Sequence, residues 1–292
     1  MGSHSVSSID FKRLCEGVFS ETESLVAALD GVPLEQPVPT CPGWTAGQLM
    51  VHVHQAQEWA AVIVETRATQ RVSLLEIGGG DGDLSGDWSE QIHQLTLRAL
   101  DSFGDPVDRR RLSQWITDGA RRLTSALLEA GPDTAVWREF CPPRVRTWAR
   151  WALLETSLHR ADAEVLAARE FRIDTDLAVD SIDQWLAYVR EPAAAPFLDP
   201  RLANMKGNGE RLRFQPTDVD GHEGWLAVCT PQGLATSAWR PGGGAATDDV
   251  VVRGTASDLL LLLKRRIPEA GSSVAVTGER ALLERWLDNV LC

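Results

Sequence analysis

The texture of the chain changes once, and that change limits the folds open to it. Up to residue 191 apolar side chains recur at helical spacing over long stretches, whereas beyond Pro192 they alternate in short runs cut by Gly, Pro and Asp. Recurrence every three or four residues buries one face of a helix, and alternation buries one face of a strand. One uniform architecture cannot satisfy both patterns. The sequence therefore predicts a helical bundle over 8–191, a linker over 192–210 introduced by EPAAAPFLDPR, and a smaller α+β domain over 211–292.

Within the first part, Phe11, Leu14, Val18, Leu25, Ala28 and Leu29 mark an amphipathic helix that ends at Gly31. A proline-rich connector follows, and Thr45 with Gln48 three residues later forms a capping box that opens a second helix over about 45–66. A third helix over 106–130 carries Trp115, Ala120, Leu123, Ala126 and Leu127 on one stripe and stops at Gly131-Pro132. A fourth follows the Pro142-Pro143 break, and one more, over 176–190, leads out of the bundle. Beyond the linker, ERLRFQPTD, EGWLAVCTPQG, LATSAWR, DVVVRG and SVAVTG read as strands, with helices near 255–266 and 279–290.

A net charge of −12 argues against a polyanionic partner, because nucleic-acid binders need a basic footprint to displace phosphate counterions. No apolar run is long enough to span a membrane, and the first residues lack the pattern of a secretory signal, so a cytoplasmic location is expected. The polar opening MGSHSVSS is left out of the fold reasoning. The five cysteines show neither C-x-x-C nor regular spacing, which speaks against a thiolate metal cluster and against a disulfide framework. Cys41, just before a helix, is read as a turn-packing residue.

The chemistry-bearing feature is Glu155 and His159 in TWARWALLETSLHRADAEVLAAR. Residues four apart share a helix face about 6 Å apart, so this carboxylate and imidazole can grip one cation from neighbouring turns. His52 from the second helix would complete a two-histidine, one-carboxylate set with a position left open, the composition of a catalytic rather than a structural zinc site. His54 is turned about 200° from His52 at roughly 100° per residue and is read as a solvent or interface histidine. The stretch IGGGDGDLSGDW, 77–88, matches neither a P-loop nor a calcium loop and is read as a surface loop.

The segments PVPTCPGWTAGQLMVHV and ETSLHRADAE together resemble the mycothiol-dependent maleylpyruvate isomerase family, a branch of the DinB-like metalloenzymes. In that family a CPGWT turn opens the helix supplying the first histidine, and an E-x-x-x-H-R-x-D run supplies the other ligands. The matching residues here are Cys41 to Thr45 leading to His52, then Glu155, His159, Arg160 and Asp162. VRGTASDLLLLLKRR is similar to the family's second domain, which is likened to sterol-carrier folds.

The resemblance implies a DinB-like four-helix bundle with a divalent metal, zinc foremost, held by His52, Glu155 and His159. Nickel, cobalt, manganese and iron suit the same donors. Asp162 is expected to orient a ligand histidine, and Arg160 to pack structurally. Trp44, Trp59 and Trp148, among eleven tryptophans, would offer aromatic walls to a sugar-bearing thiol or a flat substrate. The chain departs from the family at Gln57, where many members carry a second histidine.

The function implied is a metal-dependent mycothiol S-transferase or isomerase that activates the thiol of mycothiol toward a small electrophilic metabolite, as in natural-product biosynthesis. The alternative is a maleylpyruvate cis–trans isomerase of gentisate degradation, for which Arg213 or Arg240 would supply positive charge. A reading from another class is a non-catalytic ligand carrier. The chain would act as a monomer or homodimer, without nucleic acid or membrane. With lysine only at Lys12, Lys206 and Lys264, the arginine bias fits a GC-rich, actinobacterial source, where mycothiol is abundant.

Overall fold

Side-chain caps decide where the helices of the first half begin. The Asp10 carboxylate accepts from the backbone N–H groups of Lys12 and Arg13 at 2.9 and 3.2 Å and opens α1 (Phe11–Ala28). Thr45 and Gln48 form the expected reciprocal capping box at the start of α2 (Ala46–Glu65). Asp108 accepts from Arg111 N–H at 3.0 Å, so α5 starts at Arg109 rather than near 106 and runs to Ala130, where Gly131 at φ 78° ends it. α6 (Val145–Leu166) follows the proline break. Between α2 and α5 lie the single turn α3 (Leu74–Ile77) and the helix α4 (Trp88–Asp101).

This computed structural model describes residues 9–78, 88–138, 142–191, 200–239, 247–267 and 273–290. The polar opening, most of the 77–88 stretch, most of EPAAAPFLDPR, Cys141, Arg240 and Cys292 lie outside the described residues.

The chain divides into two compact units, Met1–Phe171 and Arg172–Cys292. In the first, α1 packs against α5 and α6, and α2 packs against α4, α5 and α6, which makes α1, α2, α5 and α6 a four-helix bundle with α4 laid on α2. Leu25, Leu49, Met50, Val53, Leu112 and Ile116 fill part of its core. Truncating one such buried leucine to alanine costs about 2–5 kcal/mol. Among the described helices none is long and apolar enough to cross a membrane.

In the second unit five strands form one mixed sheet in the order β3-β2-β1-β4-β5: β1 (Arg211–Pro216), β2 (Trp225–Thr230), β3 (Gly233–Ala238), β4 (Val250–Gly254) and β5 (Ala275–Gly278). β1 and β4 pair in parallel, with Phe214 opposite Val252, and the other neighbours are antiparallel. Leu212 and Phe214 on β1, Trp225 and Ala227 on β2, and Val250 and Val252 on β4 are buried at every second position. α7 (Thr175–Val189), α8 (Ala256–Leu263) and α9 (Arg280–Asn289) pack with this sheet, and Trp286 of α9 meets Phe214 at 5.2 Å between ring centroids.

The boundary at 191 needs correction. The helix expected to lead out of the bundle, α7, belongs to the second unit, where it packs on α8 and β3. Trp225 Nε1 donates to Asp183 Oδ1 at 2.6 Å, Thr236 Oγ1 donates to Leu186 O at 2.8 Å, and the Lys264 ammonium lies 3.5 Å over the Trp185 ring. α7 ends at Val189 and the first strand begins at Arg211, whereas the division of contacts lies between Phe171 and Arg172.

Candidate active site

Packing of α2 against α6 brings His52, Glu155 and His159 together. Glu155 Oε1 lies 3.0 Å from His52 Nε2 and 3.3 Å from His159 Nε2, so two imidazoles converge on one carboxylate oxygen. The imidazole rings stand edge to face with centroids 4.9 Å apart. One ligand atom from each residue falls within 4.8 Å of the others, a spacing that could hold a metal ion.

Asp162, one turn beyond His159, has no exposed surface. Its Oδ2 accepts from His159 Nδ1 at 2.9 Å and from Cys41 Sγ at 3.2 Å. A carboxylate on Nδ1 keeps a ring proton there and turns Nε2 toward Glu155, where it donates to the carboxylate when protonated and would offer its lone pair to a metal when not. Cys41 therefore does more than pack a turn. It also falls in a second group of possible ligands with His159 and Asp162, but those atoms are already bonded to one another. His52 Nδ1, by contrast, is buried without a hydrogen-bond partner.

The electrostatics follow from burial and from these contacts. Burial works against charge on Glu155, but hydrogen bonds from His159 and His52 outweigh it and hold the carboxyl well below its ordinary range. Burial likewise opposes charge on His159, yet its bonds to Asp162, Cys41 and Glu155 raise it well above the usual histidine value. For His52 burial prevails over Glu155, and its value falls. The metal-free cluster is thus a carboxylate between a readily protonated and a less readily protonated imidazole.

Trp44 stands edge-on to His52 with ring centroids 4.9 Å apart. Trp59 and Trp148 sit instead in a cluster with Trp137 and Trp151; the Trp148 indole, fully buried, donates to Trp137 O, and that of Trp59 donates to Val72 O, both at 2.8 Å. Gln57 is buried between α1, α2 and α6, donating to Thr22 Oγ1 at 2.7 Å and Thr156 Oγ1 at 3.1 Å. Arg160 pairs with the buried Glu21 at 2.7 Å and lies over Phe171, a structural position as expected.

His54 is placed at a helix interface rather than in solvent. It is buried and stacks on Trp115 at 3.4 Å, where the absence of a side chain on Gly119 leaves room for the ring. In the second unit Arg213 lies 3.5 Å over Trp239 and donates to Glu223 O.

Sequence reasoning missed His93. It lies on α4, with Nδ1 3.2 Å from Gln48 Nε2, and its ring is 6.2 Å from that of Trp44. The helical spacing of Ile92, Leu95 and Thr96 was the signal for this helix, but the Gly- and Asp-rich residues before it obscure its start.

Two family models match the chain: the mycothiol maleylpyruvate isomerase N-terminal domain over residues 16–164, and the MDMPI C-terminal domain over 176–285. No curated protein matches the sequence. Among solved structures, the mycothiol-dependent maleylpyruvate isomerase is similar at 16% identity and a TM-score of 0.54, over 93% of this chain and 95% of that one. A histidine-to-alanine mutant of that enzyme matches at 14% identity with the same TM-score and coverage. These likenesses establish the common fold. Because the first family model alone spans more than half of the residues, the chain belongs to the mycothiol maleylpyruvate isomerase family of enzymes.

Proposed function

We propose that this protein is a mycothiol-dependent cis–trans isomerase of maleylpyruvate, working with a divalent cation held by His52, Glu155 and His159. The observation that carries the reading is the convergence of both Nε2 atoms on Glu155 Oε1, with Asp162 behind His159. Two imidazoles and one carboxylate suit zinc, and three protein ligands leave a coordination position open. A cation there would keep a thiol in its thiolate form at neutral pH.

The chain's own residues supply the rest. Glu155 offsets part of the cation's charge, and Asp162 holds His159 with Nε2 facing inward. Trp44 walls one side of His52. The reaction served is reversible addition of the thiol across a cis double bond, rotation about the resulting single bond, and elimination to the trans acid. S-transfer to another electrophile would use the same start, but the family matched and the similar structure both carry the isomerase name, which favours isomerisation.

The test is an absorbance assay of maleylpyruvate conversion with purified protein, zinc and mycothiol. Turnover requiring both, and lost in His52→Ala, is expected. Turnover without thiol, or a stable thiol adduct in place of the trans acid, would overturn the isomerase reading.

A further inference from the structure

The hydrogen bonds around His93 determine what its ring can offer. Thr45 N–H donates to Gln48 Oε1 at 3.1 Å as one arm of the capping box, so the amide oxygen faces the helix start and the amide NH2 faces α4. That NH2 donates to Thr96 Oγ1 at 3.3 Å and stands 3.2 Å from His93 Nδ1. The Thr96 hydroxyl proton is committed to His93 O at 2.7 Å, which leaves Thr96 Oγ1 as an acceptor. Two amide hydrogens thus meet two acceptors. His93 Nδ1 is one of them, so the neutral ring carries its proton on Nε2.

Nε2 meets no hydrogen-bond partner among the described residues, and the ring is only partly buried. Its position is equally informative. Gln48 precedes His52 by one turn on the same face of α2. The Trp44 ring has His52 at 4.9 Å on one contact and His93 at 6.2 Å on another. His93 therefore carries a single N–H donor on the helix laid on α2, bonded to the residue one turn before His52 and beside the Trp44 indole that also meets His52.

We infer that His93 is a substrate-contacting residue whose Nε2–H donates to an acceptor oxygen, carboxylate or conjugated carbonyl, of the electrophile. The inference rests on the isomerase reading above. When a thiolate adds to a double bond conjugated with a carbonyl, the S–C bond forms as the π pair moves onto the carbonyl oxygen. Elimination returns that pair, breaks the S–C bond and releases the thiolate, with no net oxidation or reduction. A donor already held by Gln48 strengthens its bond as the oxygen gains charge, without reorganising at that moment.

Long-range ¹⁵N NMR of the zinc-loaded enzyme should show His93 as the Nε2–H tautomer. His93→Met should lower kcat/KM for maleylpyruvate by about tenfold to a hundredfold, with zinc content and mycothiol affinity retained. His93→Gln, whose amide N–H reaches the place of Nε2, should stay within about threefold of the wild type. A purely structural role would not separate Gln from Met in this way. A Nδ1–H tautomer, or a wild-type kcat/KM in His93→Met, would overturn the inference. If the wild type does not isomerise maleylpyruvate, the functional reading fails by itself, and maleate serves as the oxygen-bearing probe. A maleate-induced shift of His93 Nε2 would then support the contact, and its absence would overturn it.

Discussion

His159 donates from Nδ1 to Asp162 Oδ2 across 2.9 Å, and Asp162 has no exposed surface. Removing the negative charge while keeping the shape, as in Asp162→Asn, loosens the orientation of His159 Nε2. Zinc affinity should fall by about tenfold to a hundredfold, as for other partners of metal-bound histidines. Chelator competition measures it, and an unchanged affinity would show that Asp162 is only packing.

The ligand set itself predicts about one divalent cation per chain, held without a cysteine. Elemental analysis of protein purified without added metal should find it. Combining His52→Ala with His159→Ala should abolish retention, since Glu155 alone would remain of the triad. Full occupancy in the double variant would move the site elsewhere.

The triad was legible in the sequence because its parts are local. Glu155 and His159 share a helix face by spacing, and the Thr45–Gln48 box marks the helix that carries His52. What stayed hidden depends on distant contacts. Cys41 and Asp162 meet only when the turn before α2 reaches α6, and His93 gains meaning only through Gln48. The strands were legible from their alternation, but α7 has the same helical periodicity whichever unit it packs against. Composition could therefore not place the boundary at Phe171.

The corrected boundary yields a prediction about folding. Residues 9–171 contain α1 to α6, their caps and the whole triad, so this fragment should fold and bind zinc without the sheet unit. Far-ultraviolet circular dichroism should report a helical, cooperatively melting fragment. A non-cooperative melt would show that the first unit depends on the second.

Burial lifts the thiol of Cys15 from 9.0 to about 12. The folded state therefore keeps a proton that the unfolded chain releases above about pH 9, so stability should decline as pH rises from there toward 12. One such group contributes a slope of at most about 1.4 kcal/mol per pH unit. Urea midpoints at pH 8, 9 and 10 should fall less steeply in Cys15→Ala than in the wild type. Parallel profiles would mean that Cys15 ionises in the folded state as readily as in the unfolded one.

Arg160 follows His159, a proposed metal ligand, directly in sequence yet faces a different neighbourhood, which separates stability from chemistry. Its guanidinium pairs with Glu21 at 2.7 Å, both side chains being largely buried between α1 and α6, and covers the Phe171 ring. Arg160 Nε also lies 3.6 Å from Glu164 Oε1, so deleting the guanidinium takes a cation from two largely buried carboxylates, at a cost of about 3–5 kcal/mol. Arg160→Ala should therefore lower the denaturation midpoint sharply while the folded fraction retains its zinc and its kcat/KM. Arg160→Met together with Glu21→Leu, which removes both charges of the 2.7 Å pair, should recover part of the loss, Glu164 keeping its charge. A variant of Arg160 that stays stable but loses zinc or activity would place the guanidinium in the reaction instead.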